Sequence, residues 1–406
     1  MKFKLSLIAF SISLVANNAM SAPFILSNND ITQEQQAMQP NAWVEVDRGI
    51  FENNIQLLQK EVRNKTKICA VMKADAYGNG IENLIPSVIN SNISCIAIAS
   101  NEEAKIARKK GFNGQILRVR AGAPDEIEAA VKFNIEELIG TLEQAEAISK
   151  IAKKHNTSIS VHLAFNSAGM GRNGIDLTTD SGKKDAVKVT KTPRVNIVGM
   201  MTHFPTEDLD TTRLGLKRFM NETSWLIEHS DLKRDDVTLH AANSYTTLML
   251  PEARLDMIRP GGALYGDTTS QFPEYKSIVS FKTEIASVHK FPAGSTVGYD
   301  STEILSRESL LANLPVGYSD GYPRSLSRKG YVLINGQRAK VIGKTSMNTT
   351  MVDITDIKGA KPGDEVVLFG QQGDGEISRS EMENKTGRLL CDLYTLWGGV
   401  NPKYIK

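Results

Sequence analysis

The sequence predicts an α/β protein: a TIM-type (β/α)8 barrel followed by a mostly β C-terminal domain. Three observations predict it. Eight short apolar strands recur over about 220 residues, helix-like stretches rich in Ala, Glu and Lys alternate with them, and this texture ends near residue 275. Short, continuously apolar strands fit a parallel sheet buried on both faces.

The 406-residue chain opens with Lys2 and Lys4, an apolar run from Leu5 to Val15, and small residues Ala19, Ser21 and Ala22. That order reads as a secretory signal peptide over residues 1–22, its apolar run too short to span a bilayer. It places the mature protein in the periplasm. No later stretch reaches the ~18 apolar residues of a membrane span, so no stable membrane association is expected. Apolar residues make up 41% and charged residues 23%, which excludes collagen, coiled coil and wholesale disorder. Taking Lys2 and Lys4 from 48 Lys and Arg leaves 46, against 46 Asp and Glu. A neutral chain has no bulk charge for nucleic acid, and a small molecule becomes the expected partner.

After a polar leader, Trp43 to Asp47 predicts a strand near 41–47 that can join the second domain. The barrel is expected over 42–275, with strands at Lys67–Met72, Ser94–Ala99, Gln115–Val119, Glu137–Gly140, Ser158–Ala164, Asn196–Thr202, Val237–Ala241 and Met257–Arg259. Helices are expected at Asn101–Lys110, Leu142–Lys154 and Thr211–Glu228. Over 276–406 turns recur and β-branched residues rise. Tyr331–Ile342 is a hairpin about Asn335-Gly336, and Asp364–Gly370 a further strand.

Barrels place their active sites at the C-terminal ends of the strands. Those ends here carry Lys73, then Arg118 and Arg120, Asn166 and Arg172, His203, Asn243-Ser244, and Arg259. Each alone suits a solvated rim; together they mark one polar face. Cys69, Cys95 and Cys391 lack metal-ligand spacing, so no metal is expected; in an oxidising compartment two can pair.

The segment from Ala70 to Gly80 carries the chemistry. A partly desolvated lysine at a strand end, Lys73, can lose its proton and condense with an aldehyde cofactor. Tyr77 can reach a phosphate, and Gly78 and Gly80 permit a tight turn. This segment resembles the pyridoxal-phosphate site of the alanine racemases. The resemblance continues in order through Met201-Thr202-His203-Phe204, Asn243-Ser244, Ile258-Arg259-Pro260-Gly261, Leu264-Tyr265-Gly266, Val297–Ser301, Gly317–Pro323 and Ser346-Met347-Asn348.

The resemblance implies roles. Lys73 would hold pyridoxal 5'-phosphate and serve as base on one face of the substrate, and Tyr299 would serve the other. Tyr77, Ser244 and Tyr394 would bind the phosphate, with Asn243 and the backbone at Gly261 beside them. Arg259 would face the ring nitrogen and contact His203, which in turn orients Tyr299. Arg172 would hold the cofactor's phenolic oxygen and the substrate carboxylate. Tyr318 and Met347 would touch substrate, arriving with Tyr299 from the other subunit of a homodimer.

Where typical alanine racemases carry a lysine after the His-Leu of the fifth strand, this chain has Ala164, followed by a loop one residue longer. Arg172 therefore lacks its usual anionic brace, leaving Asn166, Asn173 or an anion held by Arg118 and Arg120. This set, with a Cys69–Cys95 bridge between neighbouring strands and Cys391 free, is similar to the periplasmic broad-specificity amino-acid racemases, which supply D-amino acids for peptidoglycan. The implied substrates include Lys, Arg, Ala and Met. The alternatives are an alanine-only racemase, a fold-related pyridoxal-phosphate decarboxylase, or a cofactor carrier. The decarboxylase would need a Gly-rich phosphate loop late in the barrel, which the chain lacks.

Overall fold

A computed structural model describes residues 25–26, 40–63, 65–268 and 271–406; the segment read as a signal peptide lies outside the described residues. Eight parallel strands form the first sheet: β2 (Lys67–Val71), β3 (Cys95–Ile98), β4 (Gln115–Ala121), β5 (Ile135–Ile139), β6 (Ile159–Ala164), β7 (Val195–Met201), β8 (Thr238–His240) and β9 (Met257–Ile258). From β2 to β8 each pairs with the next, and β9 pairs with β2. The seam between the short β8 and β9 is carried by Asp256 N–H donating to the Leu239 carbonyl at 3.1 Å and Arg259 N–H to Ala242 at 2.9 Å, so the barrel is nearly closed.

Between the strands run α1 (Asn101–Lys109), α2 (Leu142–Lys154), α3 (Leu209–Glu228), α4 (Ser244–Met249) and α5 (Gly262–Tyr265), among other helices. Alpha1 starts with a capping box: Ser100 accepts from Glu103 N–H while the Glu103 carboxylate accepts from Ser100 N–H. The same carboxylate accepts from Ala99 N–H at 2.7 Å and Asp75 N–H at 3.1 Å, tying the helix to the loop after β2.

The second domain is built on one mixed sheet. Strand β1 (Ala42–Val46) pairs antiparallel with β10 (Val279–Glu284), and the sheet continues through β11 (Ser287–Phe291), β12 (Ser309–Leu314), β13 (Tyr331–Ile334), β14 (Gln337–Ile342), β15 (Thr350–Asp353) and β16 (Glu365–Gln372). Asn335 and Gly336 both have positive φ, 52° and 74°, as a type I′ hairpin turn requires. Two helices follow that the turn-rich texture hides: α6 (Arg379–Thr386) and α7 (Leu390–Val400). Alpha7 buries Leu390, Leu393, Tyr394 and Trp397, the i, i+3, i+4, i+7 stripe of an amphipathic helix. Trp397 stacks on Phe281 of β10 at 4.9 Å, so the helix is pinned to the sheet.

Candidate active site

The loop after β2 makes the site. Ala74, Asp75, Ala76 and Tyr77 all have φ between 53° and 56°, a left-handed turn of non-glycine residues. Such a turn costs roughly 1–2 kcal/mol per residue and persists only where surroundings enforce it. Here Asp75 Oδ1 accepts from Ile81 N–H at 2.8 Å, Glu103 holds Asp75 N–H, and α7 packs against the far side. A Cβ on Gly398 of α7 would lie 1.7 Å from the Gly78 carbonyl oxygen. The turn aims Lys73 and Tyr77 into one cavity of about 370 Å³. Burial, then the nearby Arg172 charge, holds the Lys73 amine below its ordinary pKa.

The cavity collects side chains from six strand ends. Lys73, Tyr77, Arg172, His203, Asn243, Ser244, Arg259 and Gly261 all line it. Ser244 Oγ accepts from Gly261 N–H and Ala263 N–H, each at 3.0 Å, which locks the hydroxyl beside the start of α5. Asn243 caps α4 by accepting from Thr246 N–H at 3.0 Å. A Cβ on Gly261 would lie 2.3 Å from the Tyr77 hydroxyl, so only glycine lets that phenol approach.

Arg259 is 5% exposed. Its Nη2 donates to the carbonyls of Thr202 (3.0 Å) and Ala241 (3.2 Å) and lies 3.5 Å from His203 Nδ1. Its Nη1 lies 2.8 Å from His240 Nδ1. Nε, by contrast, has no protein acceptor among the described residues. Burial and Arg172 bring Arg259 down to about 9, still a cation at neutral pH. His203 is pushed down to about 3 by burial and the charges of Arg259, Arg172 and Lys73, so it is neutral there.

Several expected residues lie elsewhere. Tyr394 does not line the cavity: its hydroxyl donates to Asp267 at 3.2 Å, and Cys391, one helical turn earlier on α7, lines it instead. The anion-holding role for Arg118 and Arg120 is corrected. Val119 lines the cavity, and strand alternation sends its two neighbours to the other face of β4. There all five Arg118 N–H groups are taken, by Glu137 (2.6 and 3.1 Å), Glu126 (2.9 Å), Asn101 (2.7 Å) and the Ala99 carbonyl (3.4 Å). Arg120 pairs with the same Glu126. Nor does Asn166 brace the Arg172 guanidinium; it accepts from Gly171 N–H at 2.8 Å and shapes the loop. Asn173 contributes its backbone, which fills the space over Gly140. Ala164 is buried against Leu138 and Met201. Tyr299, Tyr318 and Met347 stand 64%, 43% and 55% exposed, outside their own chain's cavity. Tyr318 and Met347 are nonetheless neighbours, since Tyr318 N–H donates to the Ser346 carbonyl at 3.1 Å. The Tyr299 loop adjoins them through the Asp300–Lys344 ion pair.

Residues 46–269 match the family model described as alanine racemase, N-terminal domain, and residues 278–405 the alanine racemase, C-terminal domain. The chain belongs to the alanine racemase family. It is similar to a broad specificity amino-acid racemase of Aeromonas hydrophila, 54% identical over 396 residues and 97% of each chain. It is 43% identical to a lysine racemase of Proteus mirabilis over 92% of each. Among solved structures it resembles the alanine racemase of Bacillus anthracis with bound L-Ala-P, at TM-score 0.83 and 26% identity, covering 91% of this chain and 96% of that one. The fold also matches the alanine racemase of Bartonella henselae with covalently bound pyridoxal phosphate, at TM-score 0.78 and 24% identity, covering 91% and 100%. Sequence reasoning missed Cys391 and Val119 in this cavity, and His240 packed behind Arg259. The i, i+3 spacing of Cys391 and Tyr394 on α7 is a signal that could have found Cys391, had the helix been recognised.

Proposed function

We propose that this chain is a pyridoxal-phosphate-dependent amino-acid racemase of broad specificity, acting as a homodimer in the periplasm. The observation that carries the reading is the single cavity joining Lys73, Tyr77, Ser244, Gly261, Arg259 and His203. These residues fit the cofactor: a lysine held below its ordinary pKa, hydroxyls of Tyr77 and Ser244 for the phosphate, and the unpaired Arg259 Nε for the ring nitrogen. When bound, the cofactor supplies the electron sink that acidifies the Cα proton of an amino acid.

The chain's own groups do the rest. Lys73 takes or returns the Cα proton on one face, which needs the neutral amine that burial favours. The partner subunit's Tyr299 serves the opposite face; exposure of Tyr299, Tyr318 and Met347 on one surface supports their insertion into a second copy. His203, neutral and beside Arg259, orients that phenol. Arg259 would offer the ring nitrogen a hydrogen bond but not its proton, and so would limit how far negative charge could spread into the ring. Arg172, without a protein partner among the described residues, is free for a carboxylate.

Ala164, too small to reach Arg172, supports substrates larger than alanine. The Cys69–Cys95 bond, joining paired residues of β2 and β3, supports an oxidising compartment and so the reading of residues 1–22 as an export signal. D-amino acids made there would serve cell-wall remodelling. Chiral chromatography after incubation with single L-amino acids tests the proposal. Lysine or arginine should racemise with kcat/KM within about tenfold of alanine, ~1.4 kcal/mol in transition-state binding. Alanine-only turnover would remove the broad specificity, and carbon dioxide release would remove the racemase.

A further inference from the structure

A buried chain of hydrogen bonds leaves the cavity and runs down the inside of the barrel. Arg259 Nη1 lies 2.8 Å from His240 Nδ1, His240 Nε2 lies 2.7 Å from His162 Nδ1, and His162 Nε2 lies 2.7 Å from Glu136 Oε2. Both imidazoles are 0% exposed. Glu136, on β5, also accepts from Gln115 Nε2, and Gln115 accepts from Lys67, the first residue of β2. The chain thus begins at the catalytic end of the strands and finishes at the opposite end.

Its direction is fixed by chemistry. A guanidinium has only donors and an ionised carboxylate only acceptors. His240 Nδ1 must accept from Arg259, so its proton sits on Nε2 and points to His162 Nδ1. The His162 proton then sits on Nε2 and points to Glu136. Each ring is neutral with one tautomer, and every donor runs from the cation toward the carboxylate. Burial, then Arg259, holds His240 well below the usual histidine range. Burial pushes the Glu136 carboxyl up, while the hydrogen bonds from His162 and Gln115 and the Lys67 charge pull it the other way.

The backbone makes room for this arrangement. Gly199 on β7 pairs with His162, and the β6–β7 register shifts between Val161 and His162. A Cβ on Gly199 would lie 2.2 Å from His162 Nδ1 and 2.6 Å from Cε1. Any side chain there would displace the ring from His240.

We propose that Glu136, His162 and His240 are positioning residues for Arg259, fixing the orientation of its cofactor-facing Nε–H and anchoring its charge to a carboxylate that no substrate touches. This rests on the cofactor reading above. It extends the machinery of the reaction to the far end of the barrel.

The test uses the full-length holoenzyme and Glu136→Gln, which keeps the side-chain size and one acceptor oxygen but removes the charge. The expected result is a fall in kcat of tenfold or more, KM for the amino acid within about threefold, and a shifted visible absorption band of the bound cofactor. The melting temperature of the cofactor-free protein should stay within a few degrees, and Glu136→Asp should restore most of kcat. Gly199→Ala, which displaces His162 without touching any ionisable group, should shift the same band in the same direction. An unchanged band and kcat within twofold in both variants overturn the proposal. So does a loss of activity that follows the loss of melting temperature with the band unmoved, the mark of a structural role. If the unsubstituted protein shows no cofactor band at all, the cofactor reading fails first, and the positioning role with it.

Discussion

Lys73 sits where two effects point the same way: burial disfavours its charged form and Arg172 repels it. Lys73→Ala should therefore abolish both the covalent cofactor absorbance and turnover. Tyr299→Ala should keep the cofactor bound yet lose racemisation by about 10²–10⁴, the scale of one acid/base group. A Tyr299→Ala enzyme with near-normal turnover would contradict the second base. His203 gives a prediction in pH. Its unfolded pKa is near 6.5 and its folded value about 3, so between those limits the unfolded chain binds a proton that the native chain does not. The stability that this depression confers is whole above pH 6.5 and is lost as pH falls toward 3, at up to ~1.4 kcal/mol per pH unit. His240, lowered in the same direction, steepens the loss. Denaturant titrations of the cofactor-free protein at pH 7, 6, 5 and 4 should show that fall. A flat profile would mean the imidazoles titrate normally.

At the scale of elements, the left-handed turn Lys73–Tyr77 and helix α7 behave as one device. The turn is strained by itself, and α7 covers it so closely that Gly398 must be glycine. Gly398→Ala should destabilise the protein by about 1–3 kcal/mol, the usual cost of overpacking. Because the displaced backbone is that of Gly78, it should also weaken cofactor retention. Calorimetry and dialysis against cofactor-free buffer check both; retention unchanged at the lower stability would separate the two elements. The barrel strands were legible within one or two residues because each is a short apolar run bounded by turn residues. Alpha7 was not, because aromatic residues and the Gly398-Gly399 pair resemble the strand-and-turn texture before it, and its packing on Phe281 is made through sheet contacts distant in sequence.

For the whole molecule, the Cys69–Cys95 bond spans 26 residues and should stabilise by roughly 3–4 kcal/mol in the chain-entropy model. Thiol counting under denaturing, non-reducing conditions should find one free thiol per chain, that of Cys391; three would refute the bond. The proposed sharing of the active site between two subunits makes a sharper prediction. Lys73→Ala and Tyr299→Ala chains, each inactive alone, should regain up to about a quarter of normal activity when unfolded together and refolded, since one site of each mixed dimer then has both bases. No recovery would mean each chain completes its own site.

The sequence by itself determined the barrel, the β-rich second domain and eight residues of the cavity, because strand periodicity and the Lys73–Gly80 segment are local signals. Only the tertiary structure decided the fate of Arg118. Its charge and strand position looked like those of a ligand-holding residue, yet alternation about Val119 turned it to Glu126 and Glu137. The line from Arg259 through His240 and His162 to Glu136 was equally hidden, since its members are brought together from four strand regions by the closure of the barrel. Which face of a strand a side chain takes, and what waits there, is set by register, and register belongs to the sheet as a whole.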